Sequence, residues 1–125
     1  MKLSKLVDPQ FQSTLRKLAG QEVPLKTAFA LKGIIKRANE ELVKYEEVRT
    51  SAVQRFGDKK EDGTLETNES GNVKLNDENA AAFVAELTSL LSTEVDIGAI
   101  KAQDLGDKIT LTTSELMSID ELITD

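Results

Sequence analysis

The chain has 125 residues, a net charge of −6, and neither cysteine nor histidine. Without these two residue types it cannot form disulfides, Cys-His or Ser-His-Asp catalytic sets, or the usual zinc sites. The length predicts a single domain over residues 1–125, and no apolar run of about 18 residues predicts a membrane span. The first ten residues lack the apolar stretch of a signal peptide, which together with the absence of cysteine favours a mature cytoplasmic protein.

Charge is unevenly distributed along the chain. Residues 1–62 carry 13 basic and 9 acidic side chains, whereas residues 63–125 carry 3 basic and 13 acidic ones. This asymmetry has two interpretations: either oppositely charged halves or subunits attract each other, or the basic part binds an anion. We favour the first, because charge blocks usually serve solubility and docking.

The first 57 residues predict two helices, and residues 8–57 are therefore interpreted as the first helical part. Asp8-Pro9 is typical of a helix start, and Gly20 of a helix end. A second helix is expected from Val23-Pro24 to about Phe56, a length of roughly 50 Å. Gly33 lies inside it, at a cost of about 1 kcal/mol relative to Ala, so either close approach of another backbone or a slight kink is expected there.

Residues 58–75 are polar and glycine-rich, which predicts either a β-hairpin with its turn at residues 68–71 or a mobile loop. Their acidic side chains do not follow the ligand series of an EF-hand, so no calcium loop is expected. Asn76-Asp77 then predicts the start of a third helix, over residues 76–92, with a broad apolar stripe.

The C-terminal part, residues 94–123, predicts strands and a short helix. Residues 94–97 and 108–111 alternate between polar and apolar side chains, and we expect these two strands to pair with each other. A capping box from Thr112 to Glu115 predicts the start of a terminal helix. The expected fold class is therefore α+β and mostly helical: a long central helix, shorter helices packed along it, and a few short antiparallel strands.

An apolar stripe on the second helix is the main candidate interface. Such a narrow, long stripe is typical of a helix that packs against another helix. The third helix is too short to cover all of it, so a homodimer or higher oligomer is expected. The predicted interface residues are Ala28, Leu31, Ile35, Ala38, Leu42 and Tyr45.

A basic cluster is the only candidate ligand site. Lys32 and Lys36 lie one turn apart on the same face and would double around a dimer axis, where they are suited to a phosphate-bearing ligand. The alternative is that these side chains are simply solvated. The candidate anion contacts are Arg16, Lys17, Lys32, Lys36 and Arg37, with Lys26 nearby. No metal site or cofactor is predicted, and nucleic-acid binding is not expected of an acidic chain with few aromatics.

Several short segments resemble small tailed-bacteriophage proteins of unknown function. They are VPLKTAFALKGIIK (23–36), EEVRTSAVQRFGDK (46–59), GNVKL (71–75), ELTSLLSTEVDI (86–97) and ITLTTSELMSIDELI (109–123). The resemblance spans about residues 20–123 and implies a phage origin, action in the cytoplasm of an infected bacterium, and no catalytic residues.

Two functions are compatible with this resemblance. The first is a non-enzymatic oligomer that captures a host-defence factor or an anionic nucleotide; the second is a virion or tail-assembly accessory protein. A magnesium-dependent enzyme that uses only carboxylates is a third, less favoured alternative, because catalysis needs identifiable acid, base or nucleophile roles.

Overall fold

The structure, a computed structural model, describes all of residues 1–125 and confirms a mostly helical α+β fold. The helices are α1 (Leu3–Leu6), α2 (Pro9–Ala19), α3 (Leu25–Phe56), α4 (Asp77–Leu91) and α5 (Thr113–Ser118). The strands are β1 (Ile100–Lys101) and β2 (Ile123–Thr124), and two 3-10 turns lie at Ala102–Leu105 and Asp120–Leu122.

Contacts within the chain fall into two compact units. Unit 1 comprises Met1–Leu42 and Thr93–Asp125, and unit 2 comprises Val43–Ser92. Helix α3 contributes its first 18 residues to unit 1 and the remainder to unit 2. The single domain over residues 1–125 stays a prediction, because contacts alone do not show whether either unit folds independently.

Helix ends follow the capping signals in the sequence. The Asp8 carboxylate accepts a hydrogen bond from the Gln10 backbone N–H at 2.9 Å, and Pro9 occupies the first position of α2. The Asn76 side chain caps α4 in the same way, accepting from Asn79 at 2.8 Å. These bonds satisfy backbone donors that have no partner within the helix.

The buried apolar core belongs entirely to unit 1. Helices α1, α2 and the first part of α3 supply most of it, and the segments around β1 and β2 supply the rest. The buried apolar residues are Leu3, Leu6, Phe11, Leu15, Leu18, Leu31, Ile34, Ala38, Ile97, Ile100, Leu105, Ile119 and Leu122. Burying a side chain of this kind stabilises a fold by about 1.5–3 kcal/mol, so unit 1 has the stronger hydrophobic support.

The predicted pairing of residues 94–97 with residues 108–111 is wrong. Residues 93–95 lie antiparallel to the N-terminus: Leu3 N–H donates to the Thr93 carbonyl at 2.8 Å, and Val95 N–H donates to the Met1 carbonyl at 2.8 Å. The two strands that do form, β1 and β2, pair in parallel rather than antiparallel fashion. Tertiary pairing with distant segments has overridden the local alternation.

Residues 108–111 form no strand because a side chain takes the partner's place. The Gln21 side-chain amide donates to the Thr110 carbonyl at 2.8 Å, and its oxygen accepts from the Thr110 backbone N–H. Both backbone groups of Thr110 are therefore satisfied without a neighbouring strand.

Helix α5 begins where the sequence predicts. The Thr112 hydroxyl accepts from the Glu115 backbone, and the Glu115 carboxylate accepts from the Thr112 backbone N–H, which completes a capping box. The helix packs on α2, where the buried hydroxyls of Ser118 and Thr14 lie 2.9 Å apart.

Unit 2 is a helix, hairpin and helix without a fully buried apolar side chain. The hairpin turns at residues 68–71, with Asn68 N–H donating to the Asn72 carbonyl at 2.8 Å and an antiparallel bridge between Thr67 and Val73. Phe56 meets Phe83 edge to face at 6.4 Å between ring centres. Helix α4 has no buried residue at all, although its sequence is strongly apolar.

Candidate binding groove

Three of the five candidate anion contacts are already engaged within the fold. Lys17 forms a salt bridge with Glu115 at 2.8 Å, which ties α2 to α5. The Arg37 Nε donates to the Ile97 carbonyl at 3.0 Å. The Arg16 Nε donates to the Gln12 carbonyl at 3.3 Å, inside its own helix.

The other two candidate contacts, Lys32 and Lys36, are exposed on α3. Lys32 lines one surface cavity and Arg16 lines a different one. Because Lys17 points to α5 and Arg37 to Ile97, the structure spreads the five side chains over several places.

The predicted interface residues occupy three levels of burial. Leu31 and Ala38 are each only 3% exposed, because they belong to the core of unit 1. Ile35, Leu42 and Tyr45 are half-buried, and Ala28 is exposed. As unit 1 stands, the first two have almost no surface to offer a partner, and the other four still do.

Two concavities along α2 and α3 collect these residues into one site. One has a volume of about 400 Å³ and contains Ala28, Leu31 and Ile35. The other has a volume of about 320 Å³ and contains Ile35, Ala38 and Leu42. Because they share Ile35, we treat them as one surface, the seam groove. Its further lining residues are Leu6, Phe11, Gln12, Leu15, Arg16, Ala19, Gln21, Glu22, Val23, Lys32 and Asn39.

The seam groove has an apolar floor and a mostly cationic rim. Its charged lining residues are Arg16, Lys32 and Glu22, and the Glu22 carboxylate is offset by Lys108 at 3.3 Å. Fourteen residues separate Ala28 from Leu42, a helical rise of about 21 Å. An apolar trough of that length with polar edges suits the apolar face of an amphipathic helix.

Two large side chains missed by the sequence reasoning lie beside the groove. Leu25 is 88% exposed and Phe29 is 80% exposed, and they stand one turn apart on the first part of α3. Phe29 is the chain neighbour of Ala28, so it extends the apolar surface at that end of the groove. Large apolar groups this exposed often mark an interaction surface. The i, i+4 spacing was the available signal, but it falls outside the stripe used to predict the interface.

The titratable groups do not form a recognisable catalytic set. Hydrogen bonds from Lys17 and Thr112 lower the pKa of Glu115, and hydrogen bonds from Thr64 lower the pKa of Asp62. Both groups are therefore held in the ionised form, which does not suit a general acid at neutral pH. No three acidic side chains lie close enough together to hold a metal ion.

Comparison with protein-family models, curated proteins and solved structures finds no match to this chain. The resemblance to phage proteins therefore stays a prediction. None of the helices has both the length and the apolar character that crossing a membrane requires. The seam groove is the feature on which a functional argument can be built.

Proposed function

We propose that this protein is a non-enzymatic, oligomeric binding protein whose seam groove takes an amphipathic helix from a protein partner. The observation that carries the proposal is the apolar concavity along α2 and α3, with Leu25 and Phe29 exposed beside it. Helix-in-groove binding uses this arrangement: apolar anchors fill the trough and charged groups pair at its edge.

A protein partner is favoured over an anionic nucleotide. Tight phosphate binding needs several converging donors. Here Lys17 and Arg37 are committed to Glu115 and Ile97, and Arg16 and Lys32 line different cavities. A thermal-shift panel of cyclic and ADP-ribose-type nucleotides separates the two ligand classes, since a bound nucleotide would raise the melting temperature.

The proposed setting is the cytoplasm of a phage-infected bacterium, where the partner would be a host-defence protein. The support for this setting is the motif resemblance, and the groove adds only the kind of partner. The alternative is a virion or tail-assembly accessory protein. Mass spectrometry of purified particles distinguishes them, because an assembly component that is retained would be present at high copy number.

Capture experiments with matched variants test the role of the groove. Ala28→Glu places a charge on the groove, and Ala30→Glu places the same charge about 200° away around the exposed surface of α3. A partner recovered from infected cells with wild type and Ala30→Glu, but lost with Ala28→Glu, would support the proposal. A partner retained equally by all three proteins would contradict it.

A further inference from the structure

Helix α4 carries a second apolar face that its own unit leaves uncovered. Ala80, Phe83, Leu87 and Leu90 are half-buried along one side of the helix. A separate set recurs at i, i+3, i+4 and i+7 and is exposed throughout: Ala81, Val84, Ala85 and Thr88. Val84 alone is 58% exposed. A helix that is apolar on both sides is normally enclosed by neighbours, so this face is suited to a further contact.

The charge of α4 complements the rim of the seam groove. Its 15 residues contain Asp77, Glu78 and Glu86 and no basic residue. The groove presents Arg16 and Lys32, and Lys36 follows Lys32 one turn later on exposed surface. Opposite charges at the edge of an apolar contact favour docking and fix its orientation.

The dimensions of helix and groove also agree. A helix of 15 residues is about 22 Å long, and the rise from Ala28 to Leu42 along the groove is about 21 Å. Ala81 and Ala85 are small enough to let the helix backbone come close to the groove, and Val84 between them supplies an apolar anchor. Glu86 pairs with Arg55 of its own chain, so it does not require a buried partner.

We infer that the occupant of the seam groove is helix α4 of a second copy of this chain. The inference rests on the proposed function, because it names the helix that the groove takes. Donor and acceptor surfaces use different residues, 77–91 and 6–42, so each copy offers both. The contact is therefore head to tail, and repeating it gives either a closed ring or an open chain of copies.

A mixing experiment tests this geometry directly. Ala28→Glu blocks the groove and repels the acidic helix, whereas Val84→Arg blocks α4 and repels the cationic rim. Each variant alone should associate at least about tenfold more weakly than wild type, as measured by light scattering. Mixed together, they retain one intact contact and should form a 1:1 pair, with twice the 13.7 kDa mass of one chain in native mass spectrometry.

Matched controls separate folding from binding. Ala30→Glu and Ser89→Arg place the same charges on exposed positions outside the two surfaces and should associate as wild type does. Circular dichroism checks that each variant is folded, and Phe29→Glu is a second groove-side variant at a position that is 80% exposed.

The other outcomes identify what has failed. Association lost with Ala28→Glu but kept with Val84→Arg would indicate a seam-to-seam dimer and overturn α4 as the occupant, leaving the proposed function intact. Association lost only with Val84→Arg would place the contact between two α4 helices and also overturn the inference. A wild-type protein that stays monomeric at millimolar concentration overturns it too. Loss of the groove's binding role shows separately, as unchanged partner capture by Ala28→Glu.

Discussion

Arg37 is bonded to the carbonyl oxygen of Ile97, 60 positions away in the sequence, by an Nε–H donor at 3.0 Å. Two glycines make room for this guanidinium group. A Cβ added at Gly33 would lie 3.4 Å from Arg37 Nη1, and a Cβ at Gly98 would lie 2.7 Å from Nη2. The mid-helix glycine that the sequence left unexplained is therefore compensated by a side chain of its own helix, packed over it toward the segment after α4.

The two glycines should respond in opposite ways to alanine. Gly98 has a φ of +102°, which side-chain-bearing residues rarely adopt, so Gly98→Ala should destabilise the protein by about 1–3 kcal/mol. Gly33 has ordinary helical geometry and only a tight contact, so Gly33→Ala should be neutral or stabilising by up to about 1 kcal/mol. Urea denaturation measures both, and equal destabilisation by the two changes would contradict this account.

Acid stability should depend on Glu115. Its pKa is lowered in the folded state, chiefly by Lys17, so its contribution is present above the ordinary value of 4.5 and is lost as pH falls through the lower folded value. Glu115→Gln keeps the capping box but removes the charge. The variant should therefore lose less of its melting temperature than wild type as pH falls below 4.5. Parallel pH profiles for the two proteins would show that the salt bridge does not contribute.

The hydroxyl pair between α2 and α5 should behave as a coupled unit. Thr14 and Ser118 are only 2% and 6% exposed, and the Ser118 hydroxyl also lies 2.6 Å from the Glu115 carbonyl. Ser118→Ala should cost about 1–3 kcal/mol because it leaves buried polar groups with fewer partners. The double variant with Thr14→Val should be less destabilised than the two single changes predict together. Simple additivity in a double-mutant cycle would rule out the coupling.

Hydrogen exchange should differ between the two units. Helix α2 contributes the buried side chains Phe11, Leu15 and Leu18, whereas α4 contributes none. Local opening is easier where few apolar groups are buried, so α4 amides should exchange at least about tenfold faster than those of α2 in dilute protein. Slower exchange in α4 as protein concentration rises would agree with its docking on a second copy. Equal protection of α2 and α4 in monomeric protein would contradict the expected difference in stability.

Local signals predicted the helices well, because each signal acts within one turn. Asp8, Asn76 and Thr112 all accept the cap hydrogen bonds expected of them, since the donor lies only two or three residues away. The sequence likewise contains the turn at residues 68–71, and Gly71 adopts a φ of +81° there.

Long-range pairing was not predictable from alternation. Residues 94 and 110 bond to Met1–Leu3 and to Gln21, respectively, and nothing within a short window distinguishes these partners from another strand. The candidate site divides in the same way. The helical repeat found the residues of the groove, but it could not show that Leu31 and Ala38 are covered by the core of unit 1 or that Lys17 and Arg37 are engaged.

The lack of a sealed interior in residues 43–92 has a thermodynamic consequence. Any molecule that shields those side chains binds the native state and not the denatured one, so it acts as a stabilising ligand by mass action. If that ligand is another copy of the chain, then heat resistance becomes a property of the solution as much as of the polypeptide, and it increases with the amount of protein present.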